Sequence, residues 1–219
     1  MHFETDNLYH IYNQGNNKEN VFFSKGNYLY FLEKIRKYLL PHCDIIAWCL
    51  MPNHFHLMVY VHTENINLFE NSESNSNNSC STSLSCTTTT TTESTTQSIP
   101  KNQIRDLNNS IGLMLTSYTK AVNKQQKRSG SLFRQHTKAE CITKLQIFNP
   151  LFFGKHIAIF PAEYEYPQIC FDYIHFNPVK SGLVNKPEDW EFSSYRDYYG
   201  YRNGKLINRE RIKEFAIVF

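Results

Sequence analysis

Asn53-His54-Phe55-His56-Leu57-Met58-Val59-Tyr60 (residues 53–60, NHFHLMVY) sets two histidines one residue apart at the head of an apolar run. On a β-strand, residues i and i+2 share a face with Cα atoms roughly 6 to 7 Å apart. His54 and His56 therefore project together, while Phe55, Leu57 and Val59 take the opposite face. Two imidazoles so placed can converge on one ion at ~2.1 Å per metal–nitrogen bond, over a buried face that anchors the strand. Two ligands are too few for a site, and an isolated H-x-H is also the ordinary pattern of solvated or hydrogen-bonded strand histidines. What the rest of the chain brings to the pair decides between these readings.

Asp44 to Leu50 is a second short apolar run, and Met51-Pro52-Asn53 joins it to the histidine run, so 44–60 reads as two neighbouring strands. Upstream, Leu8 to Asn13 (LYHIYN) alternates like a strand and ends in the turn signal QGNN. Between them, Tyr28, Phe31, Leu32, Ile35 and Leu39 fall on one side of a helical wheel with Glu33, Lys34 and Lys37 opposite, and Pro41 stops the helix. Downstream, Ile104, Leu107, Ile111, Met114, Leu115, Tyr118 and Val122 predict a helix of about five turns. Ser131 to Ile142 reads as a further strand. Pro167 to Asn177 reads as a second buried helix, closed by Pro178 and Gly182. The pattern is α+β, with helices packed on an antiparallel sheet.

The chain has 219 residues, 41% hydrophobic and 15% aromatic, enough for one compact core, so a single domain spanning 1–219 is expected. From about 63 to 100 the sequence is nearly all Ser, Thr and Asn, with little to bury, and is expected to be a disordered insertion. A net charge of +3 is too mild to announce a polyanion partner unaided. The sequence carries no secretory leader pattern and no run long enough to span a bilayer, which leads to the expectation of a cytoplasmic protein with no membrane partner. Cys43, Cys49, Cys80, Cys86, Cys141 and Cys170 form no C-x2-C pair and read as free thiols.

A partner for the histidines comes from FDYIHFNP (171–178). On a helix Tyr173 and Asn177 lie one above the other, so an amide oxygen and a phenol can address the same ion. A core tyrosine with an asparagine helix cap fits the same spacing. Tyr118 is a rival nucleophile, though its place on an apolar stripe makes it core first. His175 lies off the Tyr173 face, behind the site or at the surface, and His136 in FRQHTK is a candidate to approach a phosphate. Lys120, Lys124, Lys127, Arg128 and Arg134 form the clearest basic cluster, fit to follow a nucleic-acid backbone or simply to solvate a helix end. Arg196 and Arg202, interleaved with tyrosines, admit either phosphate contacts with base stacking or an aromatic tail packed on the domain.

Taken together, MPNHFHLMV, YIHFNPVKSGLV and DWEFSSYRDY, with YHIYNQGNN and SGSLFRQ, resemble the single-tyrosine HUH transposases, in the branch of REP-associated tyrosine transposases. The resemblance implies a ferredoxin-like α+β fold with the HUH pair on a central strand. It implies cleavage and rejoining of single-stranded DNA beside a hairpin through a 5′-phosphotyrosine, with release of a 3′-hydroxyl. By motif, His54 and His56 become metal ligands, Tyr173 the nucleophile and Asn177 a further ligand or orienting residue. Two imidazoles and an amide oxygen suit Mg2+ or Mn2+ with positions left open for phosphate and water. A site within one subunit or across a homodimer remains open, as do a domesticated DNA-binding protein that no longer cleaves and a small-molecule metalloenzyme with a closed pocket. The apolar run from 145 to 167 is longer than the family pattern leads one to expect.

Overall fold

The computed structural model describes residues 1–68, 104–143 and 166–219. The Ser/Thr/Asn-rich stretch beyond 68 and nearly all of the apolar run 145–167 lie outside the described residues. The elements are β1 (Asn7–Gln14), α1 (Lys25–Tyr38), β2 (Cys43–Met51), β3 (His54–Val61), β4 (Asn65–Asn67), β5 (Ile104–Asp106), α2 (Leu107–Gln125), β6 (Lys138–Cys141), α3 (Tyr166–Lys180), α4 (Tyr195–Tyr198) and α5 (Arg209–Lys213).

Four strands make one sheet in the order β2-β3-β1-β6, every neighbouring pair antiparallel. With α1 between β1 and β2 and α2 between β3 and β6, this is the ferredoxin-like arrangement. Strand alternation divides the core in two. Tyr9, Ile11, Trp48, Leu50, Phe55, Leu57 and Val59 pack with Phe31 and Ile35 of α1 and Met114 and Tyr118 of α2. On the reverse face Leu8, Cys49, Met51, Met58 and Tyr60 pack with Ile169, Cys170, Phe171 and Ile174 of α3 and with the C-terminal segment. A bulge in β2 between Ile45 and Ala47 shifts the register, which lets Ile45 face one layer while Ile46 and Ala47 both face the other.

Helix α1 buries the predicted stripe of Tyr28, Phe31, Leu32, Ile35 and Leu39. Its start is tied by Asn27 Oδ1, which accepts from the backbone N–H groups of Phe23 and Ser24. Three expectations need correction. Ile104 does not begin α2: residues 104–106 pair with 65–67, so the edge of the polar insertion is an antiparallel ladder, and Asp106 caps α2 through Asn109 N–H. The strand expected over 131–142 is confined to Lys138–Cys141. Helix α3 runs through Pro178 to Lys180 before Gly182 turns the chain at φ +70°. A proline one turn from the end removes a single i−4 hydrogen bond, which the packed helix tolerates. Among the described residues no helix is long and apolar enough to cross a membrane.

Candidate active site

Pairing of β1 with β3 sets Tyr12 opposite His56 and Gln14 opposite His54. His54 and His56 fall on the sheet face covered by α3, as the alternation requires. Helix α3 lays Tyr173 over them: its ring meets that of His56 edge-on, with centroids 5.4 Å apart. Asn177, one turn further on, is buried at 7% exposure. It bears on both groups, raising the His54 imidazole pKa against the effect of burial and lowering that of the Tyr173 phenol. Because α3 continues past it, Asn177 is not the helix cap that its spacing allowed. Both histidines, Tyr173 and Asn177 thus meet within one chain.

Burial shapes the protonation states. It is the largest influence on His54 and His56 and moves both below the ordinary imidazole range, His56 further because His10 and His54 add repulsion. Neutral imidazoles are the form that donates to a metal. Burial also raises the Tyr173 phenol, so it carries its proton at neutral pH. The Lys180 ammonium lies 5.1 Å from the Tyr173 ring centroid, in position to favour negative charge there.

A cleft of about 420 Å³ opens beside these groups, lined by Tyr12, Gln14, His54, His56, Arg134, His136, Lys138 and Tyr173. Its size is within the usual ligand-site range of about 300–1,000 Å³. A second groove of about 590 Å³ runs along α2 and includes Thr116, Thr119, Lys120 and Asn123. Arg134 and His136 line both. Of the basic cluster, Lys120 lines the second groove and Arg134 lines both. Lys124 and Lys127 line neither cleft, and Arg128 pairs with Glu19 at 3.5 Å.

The other candidates sort cleanly. Tyr118 is fully buried, its hydroxyl donates to the Val21 carbonyl at 2.7 Å, and burial drives its pKa far up, so it is core. Tyr12 lines the cleft, but its hydroxyl donates to Glu140 at 2.8 Å. His175 is buried, not at the surface, and contacts Ser194 Oγ at 2.7 Å. Arg202 is held by Asp197 and by the carbonyls of Glu191 and Ser193, and Arg196 donates to the Glu188 carbonyl. DWEFSSYRDY and the Arg202 that follows it are thus largely a structural clasp, with both arginines engaged within the fold.

One residue of the site escaped the sequence reading. His10, on the same face of β1, is 1% exposed, and its Nε2 lies 2.9 Å from His56 Nδ1. The available signal was a polar residue in phase with Leu8 on a face that also carries both motif histidines.

Among the described residues no group of three His, Cys, Asp or Glu side chains is placed to hold a metal ion, so an ion here would depend on two imidazoles and the Asn177 carboxamide. His54 contacts Asn53 Oδ1 through Nδ1 at 2.5 Å. That bond leaves Nε2 as the nitrogen with a lone pair. Two nitrogens, one hard oxygen and open positions match a catalytic rather than a structural site.

No protein-family model and no curated protein matches the sequence. A solved structure of a REP-associated tyrosine transposase bound to a REP hairpin is similar in fold, with a TM-score of 0.53 over 95% of each chain at 14% identity.

Proposed function

We propose that the chain is a single-tyrosine HUH transposase that cuts and rejoins single-stranded DNA beside a hairpin through a 5′-phosphotyrosine. The observation that carries this reading is the placement of a half-buried tyrosine on one helix edge-on to a histidine of the strand pair, with Asn177 buried one turn further along that helix. The similar fold of a tyrosine transposase bound to a hairpin supports the choice of DNA over a small molecule, as do the basic residues that line the cleft and the neighbouring groove.

In the proposed reaction Tyr173 Oη attacks the scissile phosphorus, the Oη–P bond forms and the P–O3′ bond breaks. The phenolic proton is in net terms transferred to the departing 3′-oxygen. The phosphotyrosine conserves the energy of the phosphodiester, so attack by a 3′-hydroxyl reverses the step without an external energy source. His54, His56 and Asn177 would hold Mg2+ or Mn2+, which when bound neutralises a nonbridging oxygen and polarises phosphorus. Asn177 also orients Tyr173, and Lys180 offsets charge on the phenolate that departs in the reverse step. Arg134 and Lys120 contact backbone phosphates.

The test is incubation of the protein with hairpin-bearing single-stranded DNA and Mg2+ or Mn2+, followed by denaturing electrophoresis. A covalent protein–DNA adduct is expected from the wild type and none from Tyr173→Phe. Hairpin binding without an adduct under any divalent ion would leave a non-cleaving DNA-binding protein in its place.

A further inference from the structure

The two motif histidines are both held through Nδ1, but by different kinds of partner. Asn53 offers His54 an amide oxygen, which only accepts. His10 offers His56 an imidazole nitrogen, which can do either, so the 2.9 Å contact between His10 Nε2 and His56 Nδ1 has two possible directions. The direction matters for the chemistry. A neutral imidazole has one N–H. If His10 donates, the proton of His56 sits on Nε2 and that nitrogen has no lone pair for a ligand bond. If His56 donates, Nε2 is a donor atom.

We propose that His10 is a positioning residue that accepts the Nδ1–H of His56, fixing the tautomer in which His56 presents its Nε2 lone pair to a divalent ion. Two features of the fold support this. The β1–β3 register puts His10 opposite Met58, one step along the same face from His56, so two paired strands set the contact. Near-parallel stacking of the two rings, 23° between planes, limits rotation of His56. His10 would carry its own proton on Nδ1. The two strand histidines would then be a matched pair, each donating from Nδ1 to a fixed acceptor and each offering Nε2.

This inference rests on the metal-site reading above, and its test separates the two. The full chain is compared with His10→Leu, which removes the acceptor, and His10→Gln, whose side-chain carbonyl reaches about as far as Nε2. Mn2+ affinity is measured by the paramagnetic resonance of free Mn2+, the His56 tautomer by long-range 1H–15N NMR of the metal-free wild type, and folding by thermal melting. His10→Leu is expected to weaken Mn2+ binding about 10- to 100-fold. Adduct formation by that variant should recover at saturating Mn2+, and His10→Gln should return affinity to within a few-fold of wild type. NMR should place the His56 proton on Nδ1. A proton on His56 Nε2, or unchanged Mn2+ affinity in folded His10→Leu, overturns the role of His10 alone. A wild type that binds no divalent ion overturns the metal site itself and this inference with it. If His10→Leu fails to fold, the wild-type tautomer and the affinity of His10→Gln decide.

Discussion

Two tyrosines with phenols of the same intrinsic chemistry have opposite fates here. Tyr118 is enclosed by α1, α2 and Phe133, and its hydroxyl is spent on the Val21 carbonyl. Tyr173 borders an open cleft beside two imidazoles. Tyr118→Phe is therefore expected to cost ~1–2 kcal/mol of stability, since it leaves a buried carbonyl without its donor. Urea unfolding reads that loss, while adduct formation stays at the wild-type level, the inverse of Tyr173→Phe. Loss of the adduct in Tyr118→Phe at a temperature where the variant is folded would reverse the assignment. The distinction was legible in the sequence because Tyr118 shares a 3.6-residue period with Ile111, Met114 and Val122. His10 was not legible, because a single polar residue in an alternating strand shows nothing of its partner 46 positions away.

At the scale of elements, the site depends on where α3 lies across the sheet. Ser194 Oγ accepts from Trp48 N–H at 2.8 Å and contacts His175 Nε2 at 2.7 Å, tying the middle of α3 to β2 from the side away from the cleft. A spacing argument reveals such a clasp poorly, since its parts come from β2, α3 and the start of α4. Ser194→Ala orphans a buried amide and a buried imidazole together, at a cost of about 2–3 kcal/mol. Amide hydrogen exchange within α3 is expected to quicken and the adduct rate to fall, with a smaller change in Mn2+ affinity because His54 and His56 belong to β3. Unaltered exchange in α3 would show that packing alone holds the helix. The same scale explains which elements the sequence disclosed. Helices α1 and α2 and the β2–β3 pair each repeat a period several times, so their signals accumulate. The β4–β5 ladder has three residues a strand, too few to show a period, and it closes only when residues 65–67 and 104–106 meet. Residues 131–137 look strand-like in composition, yet they leave the sheet to line the two clefts with Arg134 and His136.

Across the whole molecule, a net charge of +3 understates the local field, because Lys120, Arg134 and Lys138 line the two clefts and, among the described residues, no acidic side chain joins them in the lining. Single-stranded DNA affinity should fall with salt, and Lys120→Ala or Arg134→Ala should each reduce the slope of log K against log salt by about 0.7. Fluorescence anisotropy over a salt series measures it, and a slope unchanged in both variants would move the DNA elsewhere.

The fold also carries a dependence on acid that is independent of DNA. His10 and His175 are fully enclosed, and desolvation lowers each from 6.5 to about 3. Above pH 6.5 both the folded and the unfolded chain hold these rings neutral, so they add no pH dependence. Between 6.5 and about 3 the unfolded chain binds protons that the folded one refuses, so stability must fall as pH falls, at up to ~1.4 kcal/mol per pH unit for each ring. Glu140 and Asp172 act in the other direction, since burial raises both and the fold then takes up their protons more readily. A single substitution isolates the histidine effect: His175→Gln keeps a polar atom for Ser194 and removes one titrating ring. In urea unfolding of the metal-free protein from pH 7 to 5, the loss of stability should be shallower in this variant by the equivalent of up to one proton. Parallel curves for wild type and variant would mean that His175 is protonated inside the fold, and the clasp on α3 would have to be redrawn with a charged imidazole.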